Sequence, residues 1–160
     1  MARFEFKGIE NYLNDLNTLS DKGEGLCKRA VYDGAAVMAK AVQAEIQGLS
    51  VTDRNPPKGE PLTVLSYERD GLLEGLGIAK IRNDNGYIST KVGFDGYNRL
   101  RSKKYPNGHP NQMIARSIES GSSVRVKNPF VSRAVKAAKA RAEAAMAERF
   151  NQDIENIMQR

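Results

Sequence analysis

The residues best suited to binding chemistry are cations interleaved with tyrosines between Tyr97 and Tyr105. Guanidinium and ammonium groups bind phosphate oxygens, and tyrosine rings can stack on unpaired bases. The four cations of this loop are Arg99, Arg101, Lys103 and Lys104. The loop therefore predicts contact with nucleic acid or with an acidic protein partner. The sequence carries no helix-turn-helix, zinc-finger or RNA-binding-sheet signature that would favour the first.

The loop opens a longer region of one-sided charge. Residues 96–142 contain eleven basic residues and one acid, Glu119, a net charge of +10, whereas the rest of the chain has a net charge of −4. Such asymmetry bears on partners and association rather than on fold. A solvated basic surface is the other interpretation. Further candidates for an outward charge that meets protein or DNA are Arg116, Arg125, Lys127 and Arg133.

Residue types for catalysis are scarce. The chain has one cysteine, Cys27, and one histidine, His109. A zinc site or a nucleophile–base pair needs more of these residues, and no phosphate-binding or nucleophile-elbow motif occurs. We interpret Cys27 as a small, partly buried apolar residue, His109 as a solvated loop residue, and Glu119 as a structural ion-pair partner. The sequence thus predicts no catalytic residue, no cofactor and no metal, and a protein that is not an enzyme.

These residues must be positioned by a scaffold of mixed helix and strand. Alternating and helical apolar patterns predict the following elements: a strand at 3–8, helices at 9–19 and 21–48 with a capping box at Asp21 and Glu24, a strand at 62–67, helical turns at 69–76, a hairpin of 78–82 and 87–94 turning at Asn85-Gly86, and helices at 111–120 and 129–158. Long loops at 49–61 and 95–110 are expected to be mobile. We therefore predict one α+β domain over residues 1–160, with a small antiparallel sheet packed against two long helices.

The chain of 160 residues suits one core of ordinary size. No apolar run is long enough to span a bilayer, and the N-terminal sequence lacks a secretory apolar region. We therefore expect synthesis in a cytosol and no membrane partner. Gly34, inside the second predicted helix, lowers helix propensity and predicts close packing against a neighbouring helix.

The segment 114–135 is the most distinctive part of the chain. Gly121 is predicted to stop a helix, and Asn128-Pro129 is predicted to start the next one, with Asn128 as its cap. We interpret this segment as a joint that fixes the C-terminal helix against the sheet. Its predicted structural anchors are Glu119, Gly121, Pro129 and Phe130.

These motifs carry a resemblance that covers nearly the whole chain. The order of the hairpin segment GLLEGLGIAKIRNDNGYISTKVGFDGYN, the helix end IARSIESGSS and the helix start KNPFVSRAV resembles the tail-component proteins of siphophages and prophages. This is the gene-product-ten-like family of the lambdoid head–tail module. The most specific parts are the Ile118-to-Gly121 turn, the Pro129-Phe130-Val131 start and the hairpin end Val92-to-Gly96.

The resemblance implies a structural virion protein at the neck, a tail-completion or head–tail joining component. It implies a homo-oligomeric ring whose partners are the connector, the tail terminator or the tail tube. It also implies location in the virion after synthesis in the bacterial cytoplasm. The alternative is a nucleic-acid-binding protein that uses the basic loop 99–105; non-specific contact with DNA passing through a ring is compatible with either.

Overall fold

Two antiparallel helices form the long axis of the molecule. The computed structural model describes residues 9–52 and 59–159, and the side chains of the first range from Leu13 onward. The elements are α1 (Ile9–Gln47), β1 (Val51–Thr52), β2 (Val64–Leu65), α2 (Ser66–Gly75), β3 (Leu76–Ile78), β4 (Arg82–Asp84), β5 (Tyr87–Ser89), β6 (Val92–Phe94), α3 (Asn111–Ser120) and α4 (Phe130–Met158). The fold is thus a mixture of helices and small sheets, with α1 and α4 packed together.

The helix α1 approaches α4 closely because of a glycine. A Cβ atom at Gly34 would overlap the Met146 side chain and lie 3.3 Å from the Ala142 carbonyl oxygen. The predicted close packing at Gly34 is therefore confirmed. Ion pairs from Arg133 to Glu45 (2.8 Å) and from Arg29 to Asp153 (2.7 Å) join the two helices along their length. These pairs show that the C-terminal end of α1 meets the N-terminal end of α4.

Within the described residues, the strands form three two-stranded sheets rather than one antiparallel sheet. The pairs β3–β6 and β4–β5 are antiparallel, and β1–β2 is parallel, with Val51 opposite Val64. The predicted hairpin is confirmed, since Asn85 (φ 55°) and Gly86 (φ 91°) form its turn between β4 and β5. The hairpin continues into β3–β6 after a break in the strand pairing. Across this break the Ala79 N–H donates to the Lys91 carbonyl, and the Thr90 hydroxyl donates to the Ala79 carbonyl.

The core lies where α2 and α3 meet the C-terminal end of α1 and the start of α4. Its most deeply buried side chains include Ile46, Leu72, Ile118 and Phe130. The Phe130 ring contacts the Phe94 ring of β6, with centroids 6.2 Å apart. Aromatic pairs at this separation and tilt are favourable beyond their buried area. This region, which we call the core end, fixes the loops and the joint described below.

Several predicted boundaries are wrong. The helices 9–19 and 21–48 are one helix, because the apolar stripe runs through Ser20 and Asp21 without a turn residue that would force a break. The strand 62–67 shrinks to β2, since helix α2 begins at Ser66. The predicted strand at 3–8 lies outside the described residues, as does the middle of the loop 49–61.

The buried face of α4 is built largely from alanines. The most buried residues are Phe130, Ala134, Ala138 and Ala142, whereas Val135 is exposed. The close approach of α1 leaves room only for alanine at the contact. The larger residues Val131, Val135 and Met146 flank that contact and line an open groove, which becomes important below.

Candidate functional site

The joint between α3 and α4 begins with a sharp change of direction at Gly121. Gly121 has φ 71°, and its N–H donates to the Ser117 carbonyl at 3.0 Å. A Cβ atom there would lie about 3 Å from the backbone of Lys127. The left-handed backbone and the close approach both require glycine. The predicted stop of the helix at this residue is therefore confirmed.

Glu119 caps the first turn of α4 from the neighbouring helix. Its carboxylate accepts hydrogen bonds from the N–H groups of Val131 (2.8 Å) and Ser132 (3.1 Å), and from the Ser132 hydroxyl. The first amides of a helix have no intrahelical partner, and a negative charge there is favoured by the helix dipole. Glu119 is thus a cap and not the ion-pair partner of arginines that the sequence favoured.

Asn128 does not cap α4, contrary to the prediction. The helix begins at Phe130, with Pro129 directly before it, and no side chain at the cap position bonds to the helix. The Asn128 carbonyl accepts from the Phe130 N–H, and the Asn128 N–H donates to the Ile118 carbonyl at 2.8 Å. Because Glu119 occupies the free amides of the first turn, the Asn128 side chain has no capping position left to fill.

Arg125 is buried, so its predicted outward-facing role is wrong. Its two terminal nitrogens donate to the two carboxylate oxygens of Glu68 at 3.0 and 2.7 Å, and both side chains are almost fully enclosed. Glu68 also accepts from the Leu65 N–H at 3.1 Å, at the start of α2. A buried guanidinium in this bidentate arrangement satisfies its charge within the fold. It fixes the connector of the joint to α2 rather than meeting a partner.

The connector is fixed at a second point as well. The Leu62 N–H donates to the Val124 carbonyl at 2.6 Å, and the Val126 N–H donates to the Leu62 carbonyl at 3.2 Å. Val124 and Val126 themselves point to solvent.

Beside the ion pair, Tyr67 lines a cleft of about 360 Å³, and burial raises the pKa of its phenol above the ordinary value.

The basic loop 99–105 is held by a buried asparagine at its base. The Asn98 side-chain oxygen accepts from the N–H groups of Leu100 (3.1 Å) and His109 (3.0 Å), which closes the loop. Ser102 and Tyr105 exchange backbone hydrogen bonds within it. Gly108 has φ 104°, and a Cβ atom there would overlap the Asn98 carbonyl. The described structure of this loop is therefore a closed one, with its cations at the outer turn.

The four cations of the basic loop are exposed, but the two tyrosines differ. Tyr97 is exposed, whereas the Tyr105 ring packs on the half-buried His109 ring at 4.8 Å and its hydroxyl donates to the Met113 sulfur. Only Tyr97 is therefore free to stack on another molecule. Within the described part of the chain, the one salt bridge from these cations is Arg99 to Glu74 at 3.7 Å, between two exposed side chains. Such a pair is weak.

Three more basic residues were predicted to face partners, namely Arg116, Lys127 and Arg133. All three are exposed, and they lie on elements other than the basic loop. Arg116 lies on α3, and Lys127 lies in the connector. Arg133, on α4, is paired with Glu45 of α1. The loop cations therefore lie together in the structure. Arg133 instead lies at the contact between α1 and α4, and Arg125 lies in the interior.

Among residues 9–52 and 59–159, no group of three or more histidine, cysteine, aspartate or glutamate side chains is placed to hold a metal ion. In the same ranges no helix is long and apolar enough to cross a membrane. No family model, curated protein or solved structure matches the chain.

Sequence reasoning missed Glu68 and Asn98, two of the buried polar residues that organise this region. Glu68 stands three residues after Leu65, the position of an acid that accepts from the start of its own helix, which was a usable signal. Its pairing with Arg125 spans 57 positions of the chain and left no local signal. Asn98 precedes a basic run, and its role as a loop-closing acceptor depends on the return of His109.

Proposed function

We propose that this chain is a structural component of the neck of a tailed bacteriophage or prophage, a tail-completion or head–tail joining protein that works as a ring. In this proposal it acts as one α+β domain, in which small sheets pack on two long helices and the loops order further on partners. Its partners are the connector on one side and the tail terminator or tail tube on the other. It resides in the virion after synthesis in the host cytoplasm.

The observation that carries the proposal is the separation of two exposed surfaces of different chemistry. Leu13 and Leu16 are exposed near the start of α1, whereas the cations of the basic loop lie beside α2 and α3 at the core end. About 30 residues of helix at 1.5 Å each, some 45 Å, separate Leu16 from Ile46 in the core. A joining protein needs distinct contact surfaces at separate places, and exposed apolar side chains are typical of interaction sites when they cluster.

The direct test is to produce particles without this chain. We expect filled heads and completed tails that do not join, visible as separate species by electron microscopy. Supplying the chain in trans should restore joined particles, and the chain should then be found in purified virions by mass spectrometry. Joined, infectious particles made in its absence would overturn the proposal. A cheaper check is the neighbourhood of the coding sequence, where portal, capsid and tail-tube genes are expected.

The second candidate is a nucleic-acid-binding protein, and the exposure of Arg101, Lys103 and Lys104 favours it. In the described ranges none of the three has a carboxylate within salt-bridge distance. Free cations that meet phosphates release condensed counterions, so binding would weaken steeply with salt.

The two candidates separate in a DNA-binding titration. If the loop binds DNA, the triple variant Arg101→Ala, Lys103→Ala and Lys104→Ala should weaken binding equally for unrelated sequences and flatten the salt dependence. Lys22→Ala, Lys28→Ala and Lys40→Ala on α1 together remove the same charge elsewhere and are the matched control. Absence of DNA binding near physiological salt would leave the neck protein as the only candidate.

A further inference from the structure

The N-terminal part of α1 extends past the end of α4. The ion pairs of Glu45 with Arg133 and of Arg29 with Asp153 set the antiparallel register, which places Met158, the end of α4, level with about Lys22. Lys22 and Ile157 indeed line one shallow cleft. Residues 9–21 of α1, which we call the arm, therefore project about 20 Å past the end of α4 at 1.5 Å per residue.

The arm is amphipathic and carries one sign of charge. Leu13 is 51% exposed and Leu16 is 41% exposed, and they lie on one face of the helix at a spacing of three residues. The sequence of the arm contains three acids and no basic residue. An apolar face on a projecting helix is a recognition element for a groove that covers it.

A groove of matching chemistry lies between α1, α4 and the β3–β6 pair. Its volume is about 400 Å³, and its walls are mostly apolar, with Val31 and Met38 on α1, Phe94 on β6, and Val135 and Met146 on α4. Along α1 it extends from Val31 to Val42, about 16 Å at the rise of a helix, which is close to the length of the arm. The groove is therefore about as long as three turns of helix.

Three lysines lie on or beside the rim of the groove. Lys139 lines it, Lys136 lies one turn away on the outer side of α4, and Lys91 directly precedes Val92 of the opposite wall. All three are exposed, and Glu143, which pairs loosely with Lys139 at 4.0 Å, is the acid among the lining residues. The acids of the arm are complementary to these three lysines.

The arm cannot reach the groove of its own molecule. Both belong to the same continuous helix, and Leu16 lies 15 residues, about 22 Å, from Val31 along that rod. Pairing of two arms is also disfavoured, because each arm carries acids without bases and like charges repel. The groove of a second copy remains the complementary surface.

We propose that the arm of one copy docks in the groove of the next, with its leucine face on Val135 and Met146 and its acids against Lys136 and Lys139. The contact is heterologous, because it joins two different surfaces, and repeated contacts of this kind close into a ring or extend into a filament. The inference names the contact within the proposed ring and in that sense rests on the proposed function. Self-association of the purified protein in solution tests this contact. The contact can therefore fail while the virion role stands, and the virion role can fail while the contact stands.

The test measures self-association by sedimentation velocity over a wide range of protein concentration. Leu16→Asp on the arm and Val135→Asp in the groove each place a charge in an apolar contact, and we expect each to weaken association about tenfold or more. Both positions are exposed in the single copy, so circular dichroism and thermal unfolding should remain near those of the parent chain. Val124→Asp, on the exposed connector, is the matched control and should change nothing.

Charge reversal gives a more specific readout. Asp15→Lys should weaken association, and Lys139→Glu in the same chain should restore part of it if the two residues meet across the contact. A loss that Lys139→Glu deepens instead would overturn the proposed pairing of arm and groove.

Crosslinking decides between the possible geometries. In a Cys27→Ser background, chains carrying Leu16→Cys are mixed with chains carrying Val135→Cys and treated with a short bis-maleimide. Crosslinks that need both chains are expected. Efficient crosslinking of Leu16→Cys chains alone would show arm-to-arm pairing and overturn the proposal. So would a parent chain that stays monomeric at the highest concentration, or association that both Asp variants leave unchanged.

Discussion

The two ends of α1 have the same sequence pattern and opposite surroundings. Apolar residues recur at helical spacing along the whole helix, but Ile46 is fully buried while Leu13 and Leu16 are exposed. At the core end, α2, α3 and α4 surround the stripe. At the arm, α4 has already ended. The comparison shows that periodicity predicts which face of a helix is apolar and not what covers that face.

Arginines show the same division. Arg125 and Arg101 belong to one basic region of the sequence, yet Arg125 forms a buried pair with Glu68 and Arg101 faces solvent. The buried residues of the core end are enclosed by the fold, whereas those of the arm and loop face solvent. Substitutions can test this division, because the two classes should differ sharply in their effect on stability.

The largest effect is expected at Phe130. Phe130→Ala removes a fully buried ring from the core end and leaves a cavity, which should cost about 3–5 kcal/mol in the free energy of unfolding. Leu13→Ala on the arm is the matched apolar truncation and should change that free energy by less than about 0.5 kcal/mol. Urea unfolding followed by circular dichroism measures both. Similar losses at the two sites would contradict the proposed difference between core end and arm.

The next effect is expected at Arg125. Arg125→Ala leaves the Glu68 carboxylate buried without its partner, which should cost about 3 kcal/mol. Arg133→Ala breaks the more exposed pair with Glu45 and should cost about 1 kcal/mol or less. The double variant Glu68→Leu with Arg125→Met should recover part of the loss, because no charge then remains buried. If Arg125→Ala and Arg133→Ala prove equally mild, the buried pair does not hold the connector.

A smaller, local effect is expected at Glu119. Glu119→Ala removes the acceptor of two amides and one hydroxyl at the start of α4, which should cost about 1–2 kcal/mol. Glu119→Gln keeps an acceptor and should cost less. Hydrogen exchange should show faster exchange at Val131 and Ser132 in Glu119→Ala, with little change in the middle of α4. Unchanged protection of those two amides would contradict the capping role.

Much of the scaffold was predictable because its signals are local. The Asn85-Gly86 turn, the helix stop at Gly121 and the bounds of α3 follow from backbone preferences that neighbouring residues alone determine. Close packing at Gly34 was also predictable, since a glycine inside a helix needs a compensating contact.

The errors came from interactions between distant segments. Nothing near Arg125 reveals that Glu68 lies opposite it, and nothing near Asn128 reveals that Glu119 already occupies the amides of α4. The division of the strands into three small sheets likewise depends on tertiary packing. For the candidate surfaces, the exposed loop cations followed from their sequence, whereas the groove that faces the arm became visible only in three dimensions.

The smallest effect, and a dependence on pH, is expected at Asp153, near the end of α4 past which the arm of α1 projects. A hydrogen bond from Arg29, together with the charges of Arg29 and Arg149, holds the pKa of the Asp153 carboxyl below its ordinary value of 3.8. A lowered pKa in the folded state means that the carboxylate stabilises the fold above pH 3.8, and that this contribution is lost as the pH falls through the folded pKa.

Asp153→Asn should therefore lower stability at neutral pH by about 1 kcal/mol or less and have almost no effect near pH 2–3. Thermal unfolding across this range measures the difference, with Glu155→Gln, an exposed acid two residues away, as the control. A deficit of Asp153→Asn that persists undiminished at the acidic limit would show that packing, and not the charge, joins α1 to α4 below the arm.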